Sequence, residues 1–225
     1  MTVLRREGDR LEAIGTVGGL GRGETIHAVR FLGDRAHVVT FRQTDPLYTI
    51  DLSDPTAPRV TGELKITGYS AYLHPLGDDR LLGVGQEATL EGVTTGTQVS
   101  VFDVADPAAP TRLSQVMLPG ATSEAEWDHH AVLVHDGLVV LPYERWSEPT
   151  PDRPEGFETA AMVLTLDGDA LSLRGTVASS VGRVDPWQST IRRALVVDGR
   201  LVTVSHAEVA VHDPVSLETT GTVGL

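Results

Sequence analysis

Two stretches, IDLSDPTAPRVTGEL from Ile50 to Leu64 and VFDVADPAAPTRLSQVML from Val101 to Leu118, repeat one pattern and decide the fold. Each reads as an apolar strand ending in aspartate, then Asp-Pro, a second proline and another strand. Asp54-Pro55 and Asp106-Pro107 are 52 residues apart. A shorter copy, VAVHDPVSLETTGTV, begins at Val209, and LTLDGDALSLRGTV from Leu164 holds the same place with a glycine turn.

A second unit precedes each copy: an apolar strand, a tight Gly/Asp turn, then another apolar strand. Its copies are HAVRFLGDRAHVVTF from His27, AYLHPLGDDRLLGVG from Ala71, HAVLVHDGLVVLPY from His130 and RALVVDGRLVTVSH from Arg193. Asp-Gly between alternating apolar runs is a hairpin signal, and β-branched residues fill the flanks. No segment carries a long helical period. Four short strands, a to d, recurring at roughly 45–60 residues are the signature of a propeller blade. The expectation is an all-β propeller portion, with blades over 24–66, 67–118, 119–178 and 179–225. Residues 1–18 supply only the last hairpin of a preceding blade. About four and a half four-stranded antiparallel blades do not close a ring and would leave sheet edges open. Further blades are therefore expected ahead of this segment in a longer protein.

Composition narrows the function classes. The 225 residues have 40% hydrophobic content, enough for a packed core. The formal charge of −13 repels nucleic acid and anionic lipid and suits cationic ligands or metal ions. There is no cysteine, which excludes disulfides, thiolate metal sites and cysteine nucleophiles. There is no asparagine, so N-linked glycosylation is excluded too. No stretch approaches the ~20 apolar residues of a membrane span. The opening MTVLRREGDRLEAIGTV reads as strand, turn, strand, with no hydrophobic signal region.

In an up-and-down meander the a–b and c–d turns share one end of the strands, and here they are short. The b–c and d–a connections share the other end and are long: QEATLEGVTTGT from Gln86, PGATSEAEWD from Pro119, PYERWSEPTPDRPEGFET from Pro142 and SSVGRVDPWQS from Ser179. Elaborated loops on a rigid scaffold are where binding usually sits. All three tryptophans, Trp127, Trp146 and Trp187, fall in these loops, where they either pack the loops or line a recognition surface.

The run ETIHAVRFLGDRAHVVTFRQTDPLYTIDLSDPTAPRVTGELKITGYSAYLHPLGDDRLLGVG resembles a family of secreted archaeal and bacterial β-propellers distantly related to WD repeats. The likeness is carried by Phe41-Arg42-Gln43 through Asp45-Pro46-Leu47, by Ile50 to Pro58, by Gly68-Tyr69-Ser70 through Leu73-His74-Pro75, by Asp128-His129, and by Ile191-Arg192-Arg193. It runs from about Gly23 to the end. His130 departs from the pattern. The resemblance implies the fold, a C-terminal position in a longer chain and an extracellular or cell-envelope location. It implies no reaction.

One stretch holds metal-ligand chemistry: SEAEWDHHAVLV, from Ser123 to Val134. Asp128 and His129 are the candidate metal ligands, since aspartate suits hard ions and histidine suits transition metals. A divalent metal is the one cofactor these groups would take. On an extended strand His129 and His130 point to opposite faces and could not share one ion. Ser123 and Glu126 also form a capping-box pattern, which predicts one helical turn before the strand. An Asp or His at such an entrance has a structural reading as well: it bonds neighbouring loop backbone and fastens one blade to the next, as His–Asp networks do in WD-type blades.

The candidate binding residues are Arg42, Asp45, Tyr69, His74, Trp127, Trp146 and Trp187. His27, His37, His135 and His212 sit in strand patterns and read as structural. There is no Gly-x-Ser-x-Gly elbow, His-Glu-x-x-His pair or phosphate loop. The glycine-rich GGLGRGE from Gly18 joins two strands and lacks the following helix that would hold a phosphate. Asp167-Gly168-Asp169 is too short for a calcium loop. The expectation therefore leans away from catalysis. It points to a non-catalytic scaffold that binds a protein, peptide or polysaccharide through the long-loop face. The alternative is a metal-dependent hydrolase or lyase at the channel mouth, built from Asp128, His129, Glu24 and His74.

Overall fold

The computed structural model describes residues 1–41, 45–147, 156–180 and 186–225. Strands β1 (Thr2–Glu7) and β2 (Arg10–Thr16) form a two-stranded hairpin. Then β3 (Thr25–Leu32), β4 (Arg35–Phe41), β5 (Asp45–Asp51) and β6 (Arg59–Ile66) form a four-stranded antiparallel sheet in chain order. The next four, β7 (Tyr69–Pro75), β8 (Arg80–Ala88), β9 (Thr94–Asp103) and β10 (Thr111–Pro119), repeat that meander. The third sheet holds β11 (Ala121–Thr122), β12 (Leu133–His135), β13 (Leu138–Ser147), β14 (Gly156–Asp167) and β15 (Ala170–Val177). After a short helix, α1 (Pro186–Ser189), the last sheet runs β16 (Ile191–Val197), β17 (Arg200–Ser205), β18 (Glu208–His212) and β19 (Thr219–Gly224). This is the propeller-like all-β architecture that the repeats predict.

The repeat is encoded turn by turn. Asp51 Oδ1 and Asp54 Oδ1 each accept a backbone N–H two residues on, from Ser53 and Thr56, both at 2.9 Å. Asp103 and Asp106 do the same for Ala105 and Ala108, again at 2.9 Å. These side-chain caps close the turn without any neighbour, which is why the aspartates recur at fixed spacing. Asp136-Gly137 and Asp198-Gly199 make the β12–β13 and β16–β17 turns with φ of 45° and 75°, and 48° and 72°. Positive φ at both central residues matches the right-handed strand twist, and Asp-Gly reaches it at low cost.

The chain divides into two compact units: residues 1–94 with 100–113, and 95–99 with 114–225. In the first, β4 shows how period-2 alternation serves two layers. Ala36 and Val38 point to one face and join Ile50 against Met1, Val17 and Leu20 of the hairpin side. Val39, one residue out of phase, faces the other way and packs with Ala28, Leu47, Leu73, Leu81, Phe102 and Val104. In the second unit Leu138, Val140, Ala161 and Val163 of the third sheet pack on Ile191 and Leu201 of the last. Each fully buried valine, leucine or isoleucine among them stabilises by about 1.5–3 kcal/mol.

Three expectations need correction. The first strand of the third sheet is not continuous: β11 and β12 both pair with β13, and two 3₁₀ turns, Glu124–Glu126 and His129–Ala131, interrupt them. Pro142 of β13 has no N–H to give a ladder partner, and its carbonyl instead accepts from Ser123 Oγ at 2.5 Å. The loop from Pro142 is largely strand, since β13 and β14 stay paired out to Trp146↔Phe157 and Ser147↔Gly156. The segment from Gln86 likewise lies mostly in β8 and β9, with Thr89 N–H donating to the Val93 carbonyl at 2.8 Å across the turn.

Candidate functional site

The interruption at 123–132 builds the site, all of it within the second unit. Ser123 is the N-cap of the first 3₁₀ turn. Its Oγ accepts from Ala125 N–H at 3.2 Å, while its own N–H donates to Glu126 Oε1 at 3.0 Å. That is the predicted capping box, closed on both sides. Asp128 then caps the second turn, its Oδ1 accepting from His130 N–H at 3.0 Å. With two turns locally satisfied, the backbone has no need of the ladder. Trp127 stands between them, 71% exposed.

The caps also reach the last sheet. Glu124, with a side chain only 8% exposed, accepts from Arg192 Nη2 at 2.6 Å and lies 3.3 Å from Arg193 Nη1. A further Arg192 contact, Nε to Glu124 Oε2, completes the pair. Arg193 Nη2 donates to Asp128 Oδ2 at 2.6 Å. The Asp128 carboxyl is held down to about 2, first by the His130 backbone N–H, then by the His130 ring and the Arg193 guanidinium. The Glu124 carboxylate, with the other charges nearby, pushes the Arg192 guanidinium up.

Beside this network lies a cleft of about 220 Å³, lined by Glu124, Trp127, Glu144, Thr190, Arg192 and His206. A smaller hollow adjoins it and shares Glu124, Trp127, Glu144 and Thr190. Glu144 Oε1 accepts from Thr190 Oγ1 at 3.1 Å. Arg192 Nη1 lies 3.0 Å from His206 Nε2. Thus Glu124 is balanced by arginines. Among the described residues Glu144 has no arginine or lysine within salt-bridge distance and accepts its hydrogen bond from a hydroxyl.

The candidate metal ligands stand differently from their expected places. His129 and His130 lie in a 3₁₀ turn, not on an extended strand, and their rings stack with centroids 4.0 Å apart. One ligating atom from each of Asp128, His129 and His130 falls within 4.8 Å of the others. Both Asp128 oxygens already take donors, however, and one of those donors is a guanidinium. An ion held by Asp128 would have to displace Arg193 or face its charge.

The remaining candidates are scattered. Tyr69 opens β7 rather than lying in a loop, and it stacks on His27 and Phe41 with ring centroids 4.2 and 4.8 Å away. His74 bonds the Tyr72 hydroxyl at 2.9 Å, and burial, then Arg30, lowers its imidazole. Glu24 accepts from Thr40 Oγ1 at 2.5 Å. These three belong to the first unit. Trp146 is on β13, its ring 5.0 Å from that of Phe157. Arg42 and the side chains of Asp45 and Trp187 lie outside the described residues. Of the predicted binding residues, the cleft takes Trp127. The sequence reading missed Glu144, Thr190 and His206, and it noted Arg192 only as part of the Ile191-Arg192-Arg193 motif. No helix among the described residues is long and apolar enough to cross a membrane.

A family of all-β repeat domains is what this topology defines, and residues 1–217 match the beta propeller domain family. The chain belongs to that family. It is 43% identical over 136 residues to an uncharacterized protein of Archaeoglobus fulgidus, covering 60% of this chain and 21% of the relative. It is 42% identical over 123 residues to an uncharacterized protein of Methanocaldococcus jannaschii, covering 55% and 19%. The matched part is therefore about a fifth of the length of these curated relatives. Among solved structures, the AfRom2 CNH domain aligns with 98% of this chain and 75% of its own, at a TM-score of 0.36 and 9% identity. A Synechocystis apocarotenoid oxygenase aligns with 99% of this chain and 67% of its own, at a TM-score of 0.34 and 11% identity.

Proposed function

We propose that this propeller portion is a non-catalytic interaction module that takes its protein, peptide or polysaccharide ligand in the cleft beside Trp127. The observation that carries this reading is an indole left 71% exposed at the rim of a polar cleft whose walls are otherwise fixed. Exposing a tryptophan costs free energy unless something covers it, and Trp is enriched where partners anchor. The supporting frame is rigid: Ser123, Glu124 and Asp128 are each held by bonds of 2.5–3.3 Å to the strands around them. The family resemblance supports an extracellular or cell-envelope location. The test is capture by the full chain, with Trp127→Ala beside it. Undiminished capture of proteins, peptides and glycans by the variant would end this reading.

A second reading, a metal-dependent hydrolase or lyase, is favoured only by the 4.8 Å grouping of Asp128, His129 and His130. It calls for one equivalent of bound metal in the purified protein, lost in the Asp128→Ala/His129→Ala variant. The Arg193 contact to Asp128 weighs against it.

A further inference from the structure

We infer that the cleft beside Trp127 recognises a basic side chain of a peptide ligand, a guanidinium above all. The inference rests on the cleft being the ligand site proposed above, and adds the chemistry of what enters it.

The charges that line the cleft are Glu124, Glu144 and Arg192, with His206 at its edge. Arg192 is spent on Glu124 and on His206 Nε2. Arg193, behind it, divides between Glu124 and Asp128. What remains is the Glu144 carboxylate, which feels the Arg192 charge but, among the described residues, bonds only the Thr190 hydroxyl, through Oε1. Among the described residues the charges that line the cleft, Glu124, Glu144 and Arg192, thus sum to −1 beside an exposed indole. A planar cation answers both. Its face lies on the ring, attracted by the quadrupole, while its edge N–H groups reach a carboxylate. A neutral sugar could stack on Trp127 but would gain nothing from the charge of Glu144. An acidic ligand would be repelled by it and by the −13 net charge of the chain. The same net charge draws a basic segment in and speeds its encounter.

The probe is a short blocked arginine-rich peptide, titrated into the full chain while the Trp127 indole N–H is followed by NMR. Beside it run the citrulline version, equal in shape but uncharged, and a neutral glucan hexaose. The arginine peptide should shift the Trp127 resonance saturably, and the citrulline peptide should bind at least tenfold more weakly. Glu144→Gln keeps an acceptor for Thr190 and should weaken arginine-peptide binding about tenfold, as should raising the salt from 50 to 500 mM. Trp127→Ala, at an exposed position, should lose arginine-peptide binding as read by titration calorimetry, since the variant has no indole resonance to follow. Equal binding of the citrulline peptide or the glucan, or full binding by Glu144→Gln, would overturn the basic-side-chain assignment and leave the cleft as a ligand site. No response of the Trp127 resonance to any of the three probes at millimolar concentration would overturn both.

Discussion

Asp128 and Arg193 meet at 2.6 Å, joining the cap of a 3₁₀ turn in the third sheet's broken strand to the first strand of the last sheet. Asp128 also caps its own turn through His130. One carboxylate therefore fixes both the local path of the chain and its attachment to the neighbouring strand. This is the fastener role that acidic groups at a strand entrance can play, and it positions Trp127 one residue away.

The pH dependence of that role has a definite sign. The Asp128 carboxyl sits near 2 in the folded chain against an ordinary value near 3.8. Its folded value is depressed, so its contribution is complete above about pH 4 and is lost as pH falls toward 2. Asp128→Asn should melt a few degrees below the parent at pH 7. The gap should close on acidification from pH 4 to pH 2, read by thermal denaturation across that range.

Glu124 should matter more to stability, because it is buried and faces two arginines that are 41% and 36% exposed. Glu124→Gln keeps one acceptor oxygen but removes the negative charge that faces both cations, and solvent screening of the arginines limits the loss to about 1–2 kcal/mol. Urea denaturation should show an earlier midpoint with an unchanged slope. Adding Arg193→Gln should cost less than the sum of the single changes, since the two residues share one network.

The fold was readable because its signals are local. Asp51, Asp54, Asp103 and Asp106 each close a turn with an atom two residues away, so a repeat in sequence is a repeat in structure. The capping box at Ser123 and Glu126 was readable for the same reason. The continuation of that turn through Asp128 was not, because it depends on Pro142 in the partner strand, which has no N–H for a ladder bond, and on Arg193, 65 residues from Asp128 and 69 from Glu124. The cleft was least readable of all. Trp127, Glu144, Thr190 and His206 come from four separate places in the chain and share no spacing. Only the placement of the tryptophans in the long loops pointed there.

Close approach between strands and turns gives a stability prediction in the first unit. A Cβ on Gly62 of β6 would stand 2.2 Å from the Pro107 carbonyl oxygen, and one on Gly15 of β2 would stand 2.4 Å from that of Pro55. In both places a strand glycine receives the Asp-Pro turn of the following repeat. Gly62→Ala must push backbone against backbone and should destabilise by about 1–3 kcal/mol. Gly221→Ala, in β19 with nothing within 4 Å of the added atom, should be neutral or stabilise by about 0.5 kcal/mol. Paired chemical denaturation of the two variants separates steric contact from a general glycine effect.

The last prediction concerns His37, buried on the Val39 face of β4, with Nδ1 3.4 Å from Thr49 Oγ1 and no hydrogen-bond partner for Nε2. Burial first, and the Arg35 charge second, bring its imidazole down to about 4 from 6.5. Well above pH 6.5 both folded and unfolded chains hold it neutral, and its titration has no effect on stability. As pH falls from 6.5 to 4 the unfolded chain gains a proton that the folded chain refuses, so stability declines through that window, by up to about 3 kcal/mol from this group. Burial also lowers His27, His74 and His212, so the parent should lose more than this in total. His37→Leu removes one share. Its urea midpoint should fall less than the parent's between pH 7.5 and pH 5, whatever its stability at pH 7.5. An identical fall in both would mean that His37 takes up its proton in the folded chain, and that the core around Val39 admits a charge that its burial should exclude.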